Sequence, residues 1–175
     1  LIDYIANYLD DLGIRSHRVE SPDGKKSNLY ASVGPNESGG VVLSGHTDVV
    51  PTDGQDWHTD PFAPEVKENC LYGRGTCDMK GFIGTALALV PEMNSLVKPI
   101  HFAWSYDEEV GCKGAPSMIA ELSRHLPEPE AVIVGEPTQM QAITGHKGMV
   151  TLTTSILGFE AHSSQTHRGV SAVMT

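Results

Sequence analysis

The sequence predicts an α/β domain with a mixed, largely parallel sheet flanked by helices, followed by the start of a second, α+β domain. Short apolar segments such as Ala131 to Val134 alternate with helical segments, and this alternation is typical of a sheet with a parallel core. This alternation of strands and helices stops after Gly148, where a Thr-rich segment follows. We therefore expect one domain over residues 1–147 and the beginning of another over residues 148–175.

Apolar spacing and turn residues predict the elements in order. The first helix is expected over residues 1–12, because Ile2, Ile5 and Leu9 share one helical face and Gly13 favours a stop. Strands are expected next over residues 14–19, 28–33 and 41–44, and then a hairpin over 65–72 that turns at Glu68-Asn69. The first domain ends with a helix over 80–93, a strand over 100–104, a helix over 115–124 and a strand over 131–134. In the second domain we expect a long strand over 149–157 and a helix that begins at Gly169.

Composition limits the function classes. With 39% apolar residues among 175, the chain can bury a core. Acidic residues outnumber basic ones by 22 to 12, the formal charge is −10, and no cluster of Lys or Arg stands out. These features argue against nucleic acid or an anionic membrane as a partner. Three cysteines without a C-x-x-C pair fit reduced thiols, so we expect a cytoplasmic protein.

Polar clusters follow three of the predicted strands, and a fourth opens a helix. His46 and Asp48 follow the strand at 41–44, and Glu108 and Glu109 follow the strand at 100–104. Glu136 follows the strand at 131–134, and Asp78 precedes the helix at 80. Ends of parallel strands meet at one edge of a sheet, so these groups should converge. Clustered carboxylates repel one another, and a divalent cation removes that cost. Imidazole with carboxylates suits Zn²⁺.

Each of these residues also has an ordinary structural explanation. A histidine after a strand is usually structural, an aspartate near a helix start is usually a cap, and adjacent glutamates in a loop are usually solvated. The sequence contains no competing Ser or Cys nucleophile pattern, and Gly73-x-Gly75 does not continue as a phosphate-binding loop. The residues alone favour a metal site but leave the structural explanation open.

Four segments, taken together, resemble the motifs of one metallopeptidase family. This family contains acetylornithine deacetylases, succinyl-diaminopimelate desuccinylases and glutamate carboxypeptidases, and the matching segments occur in its order: His46 to Pro51, Gly73 to Gly81, Asp107 to Gly111 and Gly135 to Thr138. Residues 145–148 and 161–164 resemble the entry into the family's lid domain. The resemblance implies a zinc-peptidase-like catalytic domain whose first segment is 1–147, and a truncated lid and dimerisation domain that begins at 148.

The resemblance implies the metal ligands residue by residue. Asp78 would bridge two metal ions, His46 and Glu136 would complete one site, and Glu109 would serve the other. Two Zn²⁺ ions are thus implied, with Co²⁺ as a substitute, and a further histidine ligand of the second site is expected outside this chain. The family also suggests a cis peptide bond between Asp78 and Met79.

Three further residues receive catalytic roles from the resemblance. Asp48 would not bind the metal itself, but would orient the His46 ring through a hydrogen bond. Glu108 would be the general base, and His162, from the lid of a partner subunit, would stabilise the oxyanion. A homodimer formed through the lid domain is therefore expected.

The amino-acid sequences of segments 73–81 and 105–112 are most similar to those of the acetylornithine deacetylase branch of the family. This implies a small N-acyl amino acid as substrate and hydrolysis of the N-acetyl amide of N2-acetyl-L-ornithine to L-ornithine and acetate, in arginine biosynthesis. A succinyl-diaminopimelate desuccinylase, an aminoacylase or a dipeptidase remains an alternative. An inactive metal-binding or interaction fragment is an alternative of another class, against which the intact Glu108 argues.

Overall fold

The computed structural model describes residues 1–174 of the chain. These residues fall into two compact units, Leu1–Met140 and a unit that begins at Gln141. The domain boundary expected at residue 148 from the sequence stays a prediction. Within the described range, none of the helices has the length and apolar character needed to cross a membrane.

A five-stranded sheet organises the first unit. The strands of this unit are β1 (Ser16–Glu20), β2 (Ser27–Val33), β3 (Val41–His46), β4 (Glu65–Lys67), β5 (Cys70–Tyr72), β6 (Ile100–Ser105) and β7 (Ala131–Val134). The large sheet has the order β1-β2-β6-β3-β7, and β4 pairs with β5 in a separate hairpin. Strand β2 is antiparallel to β1 and β6, whereas β3 is parallel to β6 and β7. Four strands of the sheet therefore run one way and β2 opposes them, which confirms the mixed, largely parallel sheet.

Three helices cover the two faces of this sheet: α1 (Ile2–Asp11), α2 (Lys80–Ala88) and α3 (Ala115–His125). Side chains alternate along β6, as they must in a strand. Phe102 and Trp104 pack with residues of α1 and α2, whereas Ala103 lies in a second cluster with Met118 of α3. Helices α1 and α2 thus bury one face of the sheet, and α3 buries the other.

Two turns form where the sequence predicts them. Helix α1 is followed by Gly13 at a φ of 73°, a left-handed conformation that glycine adopts without steric cost. The hairpin β4–β5 turns at Glu68 and Asn69, whose φ angles are 50° and 62°, as a two-residue hairpin turn requires.

The helix predicted over residues 80–93 is shorter than expected. Helix α2 ends at Ala88, and a separate 3₁₀ turn covers Val90–Glu92. Pro91 explains the break, because proline has no N–H to donate to the preceding turn and its ring clashes with the carbonyl four residues earlier.

Both predictions for the second unit are wrong within the described residues. Residues 149–157 form no strand, and the bridge recorded in this unit joins Phe159 to Val170. A Thr-rich pattern favours extended backbone, but a strand also needs a hydrogen-bonding neighbour along its length. The helix expected from Gly169 is replaced by a 3₁₀ helix at Ser163–Arg168 that ends before it. Thr175 lies outside the described residues.

Candidate metal centre

The predicted site residues meet at one edge of the large sheet. His46 is the last residue of β3, Glu108 and Glu109 follow β6, and Glu136 follows β7. Because β3, β6 and β7 are parallel, their carboxyl ends share that edge. Asp78 reaches it from the turn that precedes α2. The structure therefore brings together the four side chains that the resemblance implies as metal ligands.

His46 is buried, with 1% of its surface exposed. Its Nδ1 lies 3.1 Å from the main-chain oxygen of Asp48, and since a carbonyl only accepts, Nδ1 carries the hydrogen. Its Nε2 faces Asp78 Oδ1 at 3.0 Å and Glu136 Oε1 at 3.8 Å. Burial lowers the pKa of His46, but the hydrogen bond to Asp78 and the charge of Glu136 outweigh burial and raise that pKa overall. His46 Nε2 thus faces two carboxylate oxygens, which is the side from which it could bind a cation together with them.

Asp78 is placed by its neighbour Met79, which is completely buried. The thioether of Met79 accepts a hydrogen bond from the His46 N–H at 3.3 Å. A Cβ on Gly45 would lie 2.8 Å from Met79 Cε, so the strand end packs directly on this side chain. The peptide bond between Asp78 and Met79 is cis, as the resemblance implies. The Asp78 side chain itself remains 48% exposed and accessible to a ligand.

Gly135 positions Glu136, and any side chain at position 135 would force neighbouring atoms to move. The Gly135 N–H donates to the Ser44 carbonyl at 3.0 Å, which continues the pairing of β7 with β3. A Cβ at position 135 would lie 2.1 Å from Phe82 Cγ. The ring of Phe82 in α2 therefore requires glycine here and sets where the chain leaves the sheet toward Glu136.

Asp48 has contacts that the sequence did not indicate. Its carboxylate accepts the N–H of Glu108 on Oδ1 and the N–H of Glu109 on Oδ2, each at 3.1 Å. The same Oδ1 lies 3.5 Å from His46 Nδ1, so the shorter contact of that ring is with the Asp48 main chain. The Asp48 carboxylate thus links the end of β3 to the loop that carries Glu108 and Glu109, which lie 60 and 61 positions further along the chain.

The donor set fits a divalent metal. Ligand atoms of His46, Asp78 and Glu109 lie within 4.8 Å of one another, and so do those of His46, Glu108 and Glu136. Burial raises the pKa of Glu109 and of Glu136, and nearby carboxylates, including Asp78, raise both further. A cation would remove this repulsion, and one imidazole with carboxylate oxygens is a set that Zn²⁺ accepts.

A cysteine touches the residue proposed from the resemblance as the base. The Cys112 thiol lies 3.5 Å from Glu108 Oε1. Burial raises the pKa of this thiol, and its hydrogen bond to Glu108 raises it further. The thiol therefore stays protonated and donates to the carboxylate. Cys112 is the last residue of the segment 105–112, and the sequence does not indicate this contact.

His162 belongs to the second unit. It is exposed and precedes the 3₁₀ helix at Ser163–Arg168, where its Nδ1 accepts the Ser164 N–H at 3.3 Å. Its role in stabilising an oxyanion stays a prediction.

Comparison with known proteins agrees with this geometry. Residues 42–172 match the model of the protein family described as Peptidase family M20/M25/M40. The acetylornithine deacetylase of Yersinia pseudotuberculosis is 39% identical over 180 residues, covering 99% of this chain and 46% of its own length. The acetylornithine deacetylase of Klebsiella pneumoniae is 40% identical over 176 residues, covering 99% of this chain and 45% of its own. The chain thus spans about half the length of the curated relatives it matches.

The fold also has counterparts among solved structures. An M20 family metallo-carboxypeptidase, Sso-CP2 from Sulfolobus solfataricus, superposes with a TM-score of 0.65 at 23% identity, covering 76% of this chain and 31% of that chain. At this identity the likeness concerns the fold.

Proposed function

The chain belongs to peptidase family M20/M25/M40, and on that premise we propose that it carries most of the metal ligands and the general base of an enzyme that hydrolyses the N-acetyl amide of N2-acetyl-L-ornithine to L-ornithine and acetate. The observation that carries this proposal is the convergence of His46, Asp78, Glu109 and Glu136 beside Glu108. The relatives named acetylornithine deacetylase, 39% and 40% identical, support the choice of substrate. The proposed place in arginine biosynthesis rests on the resemblance.

The proposed metals are two Zn²⁺ ions, for which Co²⁺ can substitute. Asp78 would be shared by both, His46 and Glu136 would hold one, and Glu109 would contribute to the other. His46 suits this role because its Nδ1 hydrogen is already donated to a carbonyl, which leaves Nε2 as the ligand atom. When bound, such ions lower the pKa of water and polarise the amide carbonyl of the substrate.

Glu108 would act as the general base. Its carboxylate lies in the same group of ligand atoms as His46 and Glu136, within 4.8 Å, yet it carries no ligand role in the proposed metal set. It would take a proton from the attacking water and deliver it to the nitrogen of the leaving amine. Asp48 would hold the main chain of Glu108 and Glu109 in place through the two bonds already described.

The remaining roles extend the proposal to the complete protein. His162 would stabilise the negative charge on the carbonyl oxygen from the lid of a partner subunit, so the enzyme would act as a homodimer formed through the lid domain. A cytoplasmic location agrees with biosynthesis of an amino acid. These assignments rest on the resemblance.

The test is a substrate comparison with the complete gene product. Purified protein loaded with Zn²⁺ is assayed for amine release from N2-acetyl-L-ornithine and from N-succinyl-diaminopimelate, with Glu108→Gln as the inactive control. We expect the acetyl substrate to have the higher kcat/KM. Equal or greater activity on the succinyl substrate would reassign the acyl group, and absence of hydrolysis of both would refute the proposed substrate.

A further inference from the structure

The loop between β6 and α3 carries Glu108 and Glu109, and it does not follow a regular local conformation. Within residues 106–114, φ is positive at Asp107 (56°), Gly111 (103°) and Cys112 (54°). Residues with side chains rarely adopt this region without support from their surroundings. Main-chain hydrogen bonds within the loop, such as that from the Lys113 N–H to the Asp107 carbonyl at 3.0 Å, support this shape, and contacts from outside the loop add to them.

One buried side chain from β2 joins the two ends of this loop. Asn28 has no exposed surface. Its Oδ1 accepts the Tyr106 N–H at 3.1 Å, and its Nδ2 donates to the Gly114 carbonyl at 2.9 Å. The second Nδ2 hydrogen reaches Ser117 Oγ at 3.1 Å. The amide oxygen and both amide hydrogens are thus used, as a buried carboxamide requires.

The loop end is fitted closely to this carboxamide. A Cβ on Gly114 would lie 2.6 Å from Asn28 Oδ1 and 2.5 Å from the Tyr106 carbonyl oxygen. The Gly114 N–H also donates to the Tyr106 carbonyl at 3.2 Å. Asn28 and Gly114 together therefore close the base of the loop, from which the two glutamates project.

We propose that Asn28 is a positioning residue for the metal centre: it clamps Tyr106 to Gly114 and so fixes Glu108 and Glu109 relative to His46 and Asp78. This inference rests on the proposed function of those four residues. Two of the three hydrogen bonds of Asn28 go to the main chain at the two ends of the loop, and the third goes to Ser117 in the first turn of α3.

The first experiment measures metal binding without turnover. The chain is titrated with Co²⁺, followed by visible absorption, as the unsubstituted protein and as Asn28→Asp, which keeps the shape but replaces the donor to Gly114 by an acceptor. Ser117→Ala is the matched control, because it removes the third bond of Asn28 and the bond that Ser117 Oγ donates to the Gly114 carbonyl at 3.0 Å, and it leaves both bonds of Asn28 to the loop ends. Met118→Ala, a cavity in the same helix, controls for lost stability.

We expect Asn28→Asp to weaken Co²⁺ binding by about 10–100-fold, the usual effect of losing a residue that supports metal ligands, and to change the absorption spectrum. Both control variants should retain affinity and spectrum at equal folded fraction. If Asn28→Asp does not fold, Gly114→Ala breaks the same clamp from the loop side and should give the same result. A variant of either position that binds Co²⁺ like Met118→Ala overturns the inference.

The second experiment separates this inference from the proposed reaction. In the complete gene product loaded with Zn²⁺, Asn28→Asp should lower kcat on N2-acetyl-L-ornithine while KM stays close to that of Ser117→Ala, since the clamp acts on Glu108 and Glu109 and not on contacts to the rest of the substrate. Unchanged kcat would overturn the positioning role. If the unsubstituted protein does not hydrolyse this amide, the proposed function fails, and the Co²⁺ titration still decides the role of Asn28. If the unsubstituted chain binds no Co²⁺, both fail.

Discussion

Replacing Asp48 by asparagine tests how the two halves of the site are joined. The carboxylate of Asp48 accepts two main-chain N–H groups, one from Glu108 and one from Glu109, each at 3.1 Å. An amide of the same shape has one oxygen, so its NH₂ group must face one of these N–H groups. The change therefore removes one hydrogen bond to a charged acceptor and leaves a donor unpaired, with almost no change in volume.

The size of the effect follows from that count. A hydrogen bond to a charged group contributes about 1.5–3 kcal/mol, and the side chain of Asp48 is only 21% exposed, so solvent replaces little of the loss. For a chain of this length, each kcal/mol shifts the melting temperature by about 2–4 °C. We expect Asp48→Asn to lower the Tm of the metal-free chain by about 3–12 °C.

The assay is thermal unfolding followed by circular dichroism at one pH, with metal removed by a chelator. Asp60→Asn is the matched control, because Asp60 is exposed and accepts a single main-chain N–H, that of Phe62, at 2.8 Å. This control should change stability by no more than about 0.5 kcal/mol. Equal melting temperatures for the two variants would refute the claim that Asp48 holds the glutamate loop.

Three other predictions follow from the same geometry. Glu108→Gln in the complete gene product should lower kcat by about 10²–10⁴-fold while Zn²⁺ affinity, measured by calorimetry, stays unchanged; lost affinity would make it a ligand instead. The pKa values of His46 and Glu136 are raised in the metal-free fold, so the stability that these groups contribute is present below their ordinary pKa values and is lost as pH rises through the raised ones. Because Zn²⁺ would replace these protons, the Tm gain on adding Zn²⁺ should be larger at pH 7.5 than at pH 5.5. An equal gain at both pH values would contradict this account. Gly135→Ala should cost about 1–3 kcal/mol in urea unfolding through overpacking on Phe82, and the cost should shrink in the Phe82→Ala background; strict additivity would show that the ring is not the obstacle.

The sheet could be predicted from the sequence because its strands are short, apolar and bounded by turn residues. The segment at 131–134 is apolar throughout and forms β7 with those bounds, and the hairpin turn at Glu68-Asn69 includes an asparagine, a residue type that tolerates positive φ. The strand expected at 149–157 failed for the opposite reason. Its pattern suits extended backbone, but pairing depends on a partner that a local pattern does not specify.

The candidate site divides in the same way. The ligand positions could be predicted because each follows a strand or opens a helix, and topology then brings them to one edge. The contacts of Asp48 and Asn28 could not be predicted, because they join residues 60 to 89 positions apart and depend on which atoms meet. In the sequence, Asn28 is only a polar residue at the start of a strand, and its burial appears once α3 is packed above it.

A zinc titration of this chain tests the central claim most directly. His46 is the single imidazole in both ligand groups found among the described residues, and two carboxylates without an imidazole make a poor Zn²⁺ site. Isothermal titration should therefore show one tight Zn²⁺ site, lost in Asp78→Ala and retained in Asp60→Asn. Absence of tight binding, two tight sites, or a site that survives Asp78→Ala would contradict the account.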